Sequence, residues 1–476
     1  MNDYLPTIGL EIHAELKTQT KMFCNSKNDP YETRPNVNIC PVCMAHPGTL
    51  PTINKEAVRH VVRVGVSLGG RIADYTEFDR KNYFYPDIPK GYQISQYKHP
   101  LVSGGELAGV AITRVHLEED TARSLHDLPE VSRIDFNRAG VPLMELVTEP
   151  VIHSPEEAAT FARELQLLLR ALGASDANME QGQMRVEANI SVQKIDGSTQ
   201  LGTKVEVKNL NSFRSVERAI RFEIERQTGL LERGERVVQE TRGWDEGKQQ
   251  TFSQRMKESS HDYRYFPDPD LPKLYLSEIP EFEESAVRQN LPELPSARRA
   301  RYLSLGLKKE DADMFVREDA FGAFFDAVCA ATRDPLLSAN YIASDIAGRV
   351  AEGALELEVL AKKETAVSFA DLMNMLSARK ISSRAAKDIL PRVLAGEDPQ
   401  TIAESEGLFQ KSDRASLEEL VRHVIEANPK PVADYRAGKG AALQSLLGQG
   451  MRMSKGSADP QLLQELLKEK ILKGDE

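Results

Sequence analysis

Apolar and polar side chains alternate through residues 6 to 18, near the start of the chain. The apolar positions are Ile8, Leu10 and Ile12, and the polar positions are Glu11, His13 and Glu15. Because successive side chains of a strand point to opposite faces, the pattern predicts a half-buried strand. Two carboxylates that bracket an imidazole favour a bound cation, although a solvated strand face with the same charges is an equal alternative on this strand alone.

Three later segments alternate in the same way. Residues 110 to 121 form a predicted strand that ends on three consecutive acids, Glu118, Glu119 and Asp120. Carboxylates at a strand end need a cation near them, because their mutual repulsion and desolvation are otherwise unfavourable. This end of the strand is therefore a second candidate for a cation site.

The other two segments are residues 184 to 194 and residues 202 to 213. Their polar faces carry Glu187 and Asn189 on the first, and Lys204, Glu206 and Lys208, followed by Asn209, on the second. If all four strands share one sheet, their polar faces form a floor of oxygen ligands beside several lysines. Such a floor suits phosphoryl transfer, in which a divalent cation and lysines neutralise phosphate oxygens. Neither a P-loop nor a protein-kinase motif set is present in the sequence.

The segment 77 to 97 combines cations, an amide and aromatic rings. Its chemistry is concentrated in Arg80, Lys81, Asn82 and Tyr83. Cations next to stacking faces suit a phosphate-bearing ligand with a ring, such as a nucleotide. The alternative is a surface loop with buried tyrosines.

Cysteine usage excludes a disulfide framework, because three of the four cysteines are close in sequence and Cys329 is remote. Cys40 and Cys43 have the C-x-x-C spacing of a zinc knuckle, and Cys24 is a candidate third ligand. The only nearby candidate for a fourth is His46. A metal-free knuckle therefore stays open as the alternative to bound zinc.

Beyond about residue 290 the pattern becomes helical, after an acidic, proline-marked stretch at 280 to 295. We predict an α+β chain, with an N-terminal mixed α/β domain built on a β-sheet (1–292), an all-α helical domain (293–405) and a small all-α tail domain (406–476). A length of 476 residues suits two to four domains. The sequence shows neither a secretory signal nor an apolar run of the ~20 residues that a membrane span needs. We expect a cytosolic protein, with a cleaved organellar precursor as the alternative.

The tail has a local positive bias on a chain whose net charge is −11. Between residues 430 and 455 the cations are Lys430, Arg436, Lys439, Arg452 and Lys455, with Asp434 as the one acid. A basic, glycine-punctuated module on an acidic protein suggests contact with an RNA backbone. A solvated helical tail is the alternative.

Several strings resemble one family. They include IGLEIHAEL, FDRKNYFYPD, GTKVEVKNLNSF, DYRYFPDPDLP and the closing GMRMSKGSADPQLLQELLKEK. Together they are similar to the GatB family, the B subunits of the tRNA-dependent aspartyl/glutamyl amidotransferases. The similarity runs from residue 5 to residue 472.

The resemblance implies an ATP- and Mg²⁺-dependent "cradle" domain followed by a helical domain and a YqeY-like tail that hold tRNA. The chain would phosphorylate the side-chain carboxylate of Glu or Asp on misacylated tRNA(Gln) or tRNA(Asn). Ammonia from a glutaminase partner of the amidase type would displace the phosphate, and a small third chain would complete the heterotrimer. Whether one or both tRNAs are substrates stays open.

The resemblance and the residue patterns together suggest roles for individual side chains. The predicted Mg²⁺ ligands are Glu11, His13, Glu119, Glu187 and Glu206. The predicted catalytic residues are Glu118, Glu119, Lys204 and Lys208, with both lysines neutralising phosphate. The predicted nucleotide or aminoacyl contacts are Arg80, Lys81, Asn82, Tyr83, Asn189 and Asn209.

The chain departs from the common family pattern at two sites. Glu187 stands where Asp is expected, and Ser26 stands where the knuckle usually has a second cysteine, with His46 in place of the usual Leu. Two other function classes stay open: a tRNA-binding scaffold whose chemistry lies in a partner chain, and a metal-dependent kinase of a small metabolite. The basic tail argues against the second.

Overall fold

The computed structural model describes residues 3–128, 131–195, 200–256, 263–410, 414–454 and 458–473. The chain divides into two compact units, Met1–Pro295 and Ser296–Glu476. The first unit is built on a β-sheet and the second on helices, so the predicted α+β fold class is confirmed. The further division at residue 405 stays a prediction.

A sheet forms the centre of the first unit. The strands are β1 (Tyr4–Glu15), β2 (Arg71–Ile72), β3 (Tyr75–Thr76), β4 (Asp79–Asn82), β5 (Tyr92–Ser95), β6 (Val102–Ser103), β7 (Glu106–Leu107), β8 (Val110–Glu119), β9 (Arg123–Leu128), β10 (Val131–Asp135), β11 (Pro142–Thr148), β12 (Met184–Lys194), β13 (Val205–Leu210), β14 (Glu240–Asp245), β15 (Gln250–Met256), β16 (Phe266–Pro267) and β17 (Leu274–Tyr275). Ten of them share one sheet, in the order β15-β14-β13-β12-β1-β11-β8-β6-β2, with β7 on β8. The strand predicted from the first alternating stretch therefore lies in the middle of this sheet.

Helices cover the sheet and form the second unit. They are α1 (Lys55–Ser67), α2 (Pro155–Ala171), α3 (Phe213–Glu232), α4 (Glu284–Gln289), α5 (Pro295–Ser304), α6 (Lys309–Arg317), α7 (Asp319–Cys329), α8 (Pro335–Tyr341), α9 (Ala347–Ala351), α10 (Lys363–Ser377), α11 (Ser383–Leu394), α12 (Pro399–Ser405), α13 (Arg414–Ala427), α14 (Pro429–Arg436), α15 (Ala441–Met453) and α16 (Pro460–Lys473). No helix in the described ranges is both long enough and apolar enough to cross a membrane. The cytosolic location stays a prediction.

The apolar face of the sheet is the core of the first unit. Ile8, Leu10 and Ile12 of β1 are completely buried. Helix α1 packs on β8, α2 on β1, and α3 on β12 and β13, and their apolar side chains belong to the same buried cluster. Because side chains alternate along a strand, burial of this face directs Glu11 and His13 to the other. The core thus determines where the polar face lies.

Helix α2 shows how local sequence sets an element's ends. The Ser154 side chain accepts a hydrogen bond from the backbone N–H of Glu157, and Pro155 occupies the first turn. This arrangement satisfies an otherwise unpaired helical N–H, and the proline loses no intrahelical bond there. The chain leaves the helix at Gly173, whose φ of +64° suits glycine. Local sequence therefore determines both ends of this helix.

The tail has its own apolar cluster in the second unit. Its buried residues are Ala458 and side chains of α13, α14, α15 and α16, and Val421, Leu446, Leu463 and Leu467 are completely buried. The last helix is capped by Asp459, whose carboxylate accepts from the backbone N–H groups of Gln461 and Leu462. The helical pattern predicted for this segment is confirmed.

We predict that Ile12→Ala lowers the free energy of unfolding by about 2–5 kcal/mol, because it removes buried methyl groups from the central strand and leaves a cavity. Ile195→Ala is the matched control, since Ile195 is 61% exposed, and we expect a change within about 0.5 kcal/mol. Urea unfolding followed by circular dichroism measures both. Equal effects of the two substitutions would contradict the assignment of this face to the core.

Candidate active site

Antiparallel pairing brings the polar faces of four neighbouring strands together. Glu11 of β1 is directly opposite Glu187 of β12, and His13 of β1 is opposite Glu145 of β11. Glu145 is in turn opposite His116 of β8. Directly paired residues project from the same side of a sheet, so these side chains line one pocket of about 490 Å³.

The first acid group of the pocket surrounds His13. Its Nε2 atom is 3.6 Å from Glu118 Oε1 and 3.4 Å from Glu145 Oε2. Burial alone would lower the pKa of His13, but the hydrogen bond to Glu145 and the nearby carboxylate charges outweigh burial and raise this pKa to about 9. His116 Nε2 lies 3.3 Å from the same Glu145 oxygen. His13 therefore holds a proton between two buried carboxylates.

The second acid group consists of Glu11, Glu187 and Glu206. One oxygen from each lies within 4.8 Å of the others. Asn189 donates to Glu11 Oε1 at 2.7 Å, and the Thr241 hydroxyl donates to Glu206 Oε2 at 2.7 Å. These hydrogen bonds orient the carboxylates toward a common point.

The two groups offer donors that suit a divalent cation. Glu11, Glu187 and Glu206 supply only oxygen, and His13, Glu118 and Glu145 supply oxygen and, once His13 has released its proton, one imidazole nitrogen. Oxygen ligands are those that Mg²⁺ prefers. In addition, the buried Oδ1 of Asn189 has no hydrogen-bond partner among the described residues, so another acceptor lies beside the second group. The residues present therefore fit Mg²⁺.

Protonated side chains lie next to these acidic residues. Lys208 Nζ is 2.9 Å from Glu187 Oε2, and the charges of Glu187 and Glu206 outweigh burial and raise the pKa of Lys208. Burial alone would lower the pKa of Lys81, but Glu118 and other neighbours raise it. Arg185 binds Asp120 at 2.9 Å. The pocket thus pairs acidic groups with protonated side chains, as a site for metal and phosphate requires.

Aromatic rings from two segments complete the pocket. Tyr97 and Tyr265 stack with their ring centres 4.2 Å apart, and both line the pocket. Tyr263 also lines it, with the Lys81 ammonium 5.1 Å from its ring centre. The rings bring apolar surface next to the charged floor.

Comparisons with known proteins assign the chain that carries this pocket to a family. Residues 6–280 match the family model of the GatB/GatE catalytic domain, and residues 323–471 match that of the GatB domain. The chain belongs to the GatB family. The matched catalytic domain contains every residue of the pocket.

Relatives that are named as the B subunits of aspartyl/glutamyl-tRNA(Asn/Gln) amidotransferases cover nearly the whole chain. The protein from Thermus thermophilus is 45% identical, over 98% of this chain and 99% of the relative. Those from Synechocystis and Caldanaerobacter subterraneus are 43% and 42% identical, over 98% and 99% of this chain and 97% and 100% of the relatives. The family predicted from the sequence strings is confirmed.

Most of the predicted metal ligands lie in the pocket of this GatB-family chain, but Glu119 does not. Glu119 follows Glu118 on β8 and therefore projects from the opposite face. Its carboxylate binds Lys90 Nζ at 2.7 Å and accepts from the backbone N–H of Ile94 at 2.9 Å. The structure brings Glu118, rather than Glu119, next to His13.

Of the residues predicted to contact phosphate and nucleotide, only some lie at the pocket. Lys208, Lys81, Asn189 and Asn209 lie at the pocket, three of them in its lining and Asn189 through its bond to Glu11. Lys204 is exposed just before β13 and lies outside the lining.

Arg80, Asn82 and Tyr83 have other contacts. Arg80 binds Asp268 at 2.8 Å, and Asn82 donates to the carbonyl of Arg264 at 2.9 Å, so both fasten the segment after residue 263. Tyr83 contacts the ring of Tyr263 and so stands next to the pocket wall.

Sequence reasoning missed Glu145, His116 and Tyr265 as site residues. Alternation could have found His116, because it shares the face of Glu118 on the same strand. Glu145 lies in a mostly apolar stretch, and only its pairing opposite His13 marks it as functional. For Tyr265, no local pattern predicts the stacking on Tyr97, since 168 residues separate the two rings in the chain.

The cysteines of the predicted knuckle do lie together. The sulfur atoms of Cys24, Cys40 and Cys43 are within 4.8 Å of one another, and the last two are 3.8 Å apart. Ser26 Oγ is 3.8 Å from Cys43 Sγ. His46 lines the neighbouring cavity, but its ring nitrogens lie outside the cluster of the three sulfurs.

A buried cation accompanies these thiols. The Lys21 ammonium is 3.9 Å from Cys43 Sγ and donates to the carbonyl of Phe136 at 3.2 Å. A hydrogen bond from Cys24, helped by the charge of Lys21, lowers the pKa of Cys43 to about 4. A structural zinc site needs four strong ligands. This cluster offers three thiols, a hydroxyl and a competing ammonium, so it does not fit a closed zinc site.

The tail cations occupy several elements. Lys430 is exposed on α14, and Arg452 is exposed on α15. Arg436 donates to the carbonyl of Ile471 at 3.1 Å, and Lys439 binds Asp434 at 2.9 Å. Lys455 lies outside the described residues. The RNA contact of these side chains stays a prediction.

We predict that Glu145→Gln lowers the pKa of His13 in metal-free protein, because a charged hydrogen-bond partner becomes neutral. The raised pKa makes the imidazolium stabilising below the ordinary value of 6.5, and this contribution is lost as pH rises through about 9. NMR titration of the labelled histidine rings measures the shift.

The exposed Glu180 lies outside the pocket lining and supplies the matched control, Glu180→Gln. This variant should leave the His13 titration unchanged. A His13 pKa that is the same in wild type and Glu145→Gln would contradict the described ion pair.

Proposed function

We propose that the chain is the B subunit of an aspartyl/glutamyl-tRNA(Asn/Gln) amidotransferase and performs its ATP-dependent step. The pocket would transfer phosphate to the side-chain carboxylate of Glu or Asp on misacylated tRNA, and ammonia would then displace the phosphate. The observation that carries the proposal is the paired acid and cation pocket inside a catalytic domain shared with full-length relatives of that name.

The two acid groups would hold Mg²⁺. Glu11, Glu187 and Glu206 form one group, and His13, Glu118 and Glu145 form the other. When bound, Mg²⁺ neutralises phosphate oxygens and favours attack by the substrate carboxylate. The role first predicted for Glu119 passes to Glu118 and Glu145, since Glu119 is occupied by Lys90 on the far side of the strand.

Protonated side chains would hold the transferred phosphoryl group. Lys208 reaches Glu187 and Glu206, and Lys81 approaches the pocket from the aromatic wall. Both keep their protons because carboxylates surround them. They can therefore stabilise negative charge that develops on phosphate during transfer.

Ammonia would come from a partner. The sequence has neither a Ser-Lys constellation nor a cysteine nucleophile with a clear base, so we assign glutamine hydrolysis to a partner chain of the amidase type. A small third chain would complete the heterotrimer. Tail cations such as Lys430 and Arg452 would contact the tRNA backbone.

The main alternative is a non-catalytic tRNA scaffold, and Glu145→Gln distinguishes the two. In the complex with its partner chains, we expect amidation of misacylated tRNA to fall by about 100-fold or more, because the site loses a charged ligand. Glutamine hydrolysis should persist. Glu180→Gln is the matched control and should amidate at the wild-type rate.

Transamidation assays with Glu-tRNA(Gln) and Asp-tRNA(Asn) separately measure the effect and identify the substrate. An unchanged rate in Glu145→Gln, in a complex that keeps all its chains, would favour the scaffold function.

For the cysteine cluster, we propose a metal-free state in the wild-type chain, held by Lys21. We expect less than one zinc per chain after dialysis, measured by elemental analysis of the purified protein. Ser26→Cys supplies a fourth thiol next to Cys43 and should bring the content to about one zinc per chain. Ser26→Ala is the control and should not raise it. Full zinc occupancy of wild type would contradict the metal-free state.

A further inference from the structure

The cysteine cluster lies in the connection between β1 and α1, and no step of the proposed phosphoryl transfer uses it. Cys40 and Cys43 belong to one helical turn, in which the N–H of Met44 donates to the carbonyl of Cys40 at 3.0 Å and the N–H of His46 donates to that of Pro41 at 2.9 Å. Residues three apart in a helical turn are neighbours. The turn therefore places these two thiols side by side.

The distance between the two sulfurs suits a bond within the turn. Cys40 Sγ and Cys43 Sγ are 3.8 Å apart. A disulfide bond is ~2.05 Å long, so the sulfurs must approach each other by roughly 1.8 Å. The C-x-x-C spacing is found in redox-active thiol pairs as well as in zinc knuckles. Because the cluster does not fit a closed zinc site, the spacing here favours a pair of thiols that can be oxidised.

Hydrogen-bond donors surround the sulfur of Cys43. The backbone N–H of Cys40 donates to it at 3.1 Å, and the Lys21 ammonium is 3.9 Å away. The Ser26 hydroxyl, at 3.8 Å, can donate as well. Donors and a nearby cation stabilise the thiolate, which is the reactive form of cysteine. Cys43 is therefore the attacking sulfur of the pair, and Cys40 is the thiol next to it.

A cavity gives small molecules access to Cys43. Its volume is about 230 Å³, and its lining includes Cys43, Cys24 and His46. Cys43 itself is 5% exposed, so a small molecule in the cavity reaches its sulfur more readily than a protein does. One water occupies ~30 Å³ in the liquid, so a molecule with two oxygen atoms fits this cavity. Hydrogen peroxide and other small hydroperoxides are oxidants of this size.

We propose that Cys43 and Cys40 form an oxidation site, at which a small hydroperoxide converts the two thiols into a disulfide. This site rests on the metal-free state of the cysteine cluster, because bound zinc would occupy the sulfurs. It does not depend on the ATP-dependent step, on tRNA or on a partner chain.

The reaction has two steps. The Cys43 thiolate attacks one oxygen of hydrogen peroxide, so that an S–O bond forms, the O–O bond breaks and the departing hydroxide takes a proton from solvent to become water. The Cys40 thiol then attacks the sulfur of the Cys43 sulfenic acid. The S–S bond forms, the S–O bond breaks, and the hydroxide leaves as water with the Cys40 proton. The two sulfurs lose two electrons in total, and the peroxide is reduced to two waters.

Lys21 makes the oxidation reversible. Its side chain is completely buried, and in the reduced chain the ammonium lies between Cys43 Sγ and the carbonyl of Phe136. The disulfide carries no negative charge, so oxidation leaves a buried ammonium without its anionic partner, which is unfavourable. Two molecules of a small thiol can then restore both cysteines by exchange and leave as one disulfide.

Peptide mapping tests the site on the full-length chain in the complex with its partner chains. The complex is treated with hydrogen peroxide, the remaining thiols are alkylated, and the tryptic peptides are weighed. Trypsin cleaves after Lys27, so Cys24 leaves on a different peptide from Cys40 and Cys43. We expect the peptide with Cys40 and Cys43 to lose two hydrogen atoms and to take no alkyl group. Reduced glutathione should restore both alkylation sites.

The remote Cys329 is the internal reference, because it is half-buried on α7. We expect the Cys40–Cys43 pair to react with peroxide about tenfold or more faster than Cys329, since the donors around Cys43 stabilise its thiolate.

Two variants identify the sulfurs. Cys24→Ser keeps the pair and should form the same disulfide as wild type. The double variant Cys24→Ser/Cys40→Ser leaves Cys43 alone and should accumulate its sulfenic acid, which dimedone traps.

A peroxide-dependent link between the Cys24 peptide and the Cys43 peptide would overturn the proposal, because the oxidised pair would be a different one. Reaction of the pair no faster than Cys329 would also overturn it. Zinc is measured on the same preparation. A zinc-loaded cluster with unreactive thiols refutes the metal-free state and the oxidation site together, whereas a zinc-free cluster with unreactive thiols refutes the oxidation site alone. The transamidation assays decide the ATP-dependent step separately.

Discussion

The pocket depends on one electrostatic interaction, the repulsion between carboxylates that lie opposite each other in the middle of a sheet. Glu11 faces Glu187, and their oxygens lie within 4.8 Å of each other and of a Glu206 oxygen. Like charges at this distance repel, and partial burial weakens the screening by water. The strands cannot slip by one residue to relieve the repulsion, because the buried Ile8, Leu10 and Ile12 would then face the wrong side.

The chain balances this repulsion with its own cations. Lys208 approaches both Glu187 and Glu206, and a protonated His13 lies between Glu118 and Glu145. Removing one partner of such a group leaves an uncompensated buried charge, which is more costly than the intact pair is favourable. A cation also lies next to the cysteine cluster, where the Lys21 ammonium is 3.9 Å from the Cys43 sulfur. Internal cations thus offset the carboxylate charges of both acid groups, and the pocket keeps the donors that Mg²⁺ would need.

Strand parity explains which predicted residues reach the pocket. Glu118 and Glu119 are adjacent and chemically identical, but alternation sends the first toward His13 and the second toward Lys90. The sequence alone could have separated Glu118 from Glu119, because His116 and Glu118 are two positions apart and therefore point to the same face of the strand. Arg80 and Asn82 show the opposite case: they have suitable chemistry for a nucleotide, but their contacts with Asp268 and Arg264 are with distant parts of the chain.

The sequence by itself determined the four alternating strands, the α+β class and the family, because periodicity and family strings are local patterns. It also identified Glu11, His13, Glu187, Glu206 and Lys208 as polar residues on alternating strands. Only the tertiary structure brought in Glu145 and Tyr265, separated Glu119 from the pocket and buried Lys21 among the thiols. Strand register, strand order and contacts between distant parts of the chain decide these outcomes. The central strand at residues 4–15 pairs with β12 on one side and with β11 on the other, so it brings the residues of the site together.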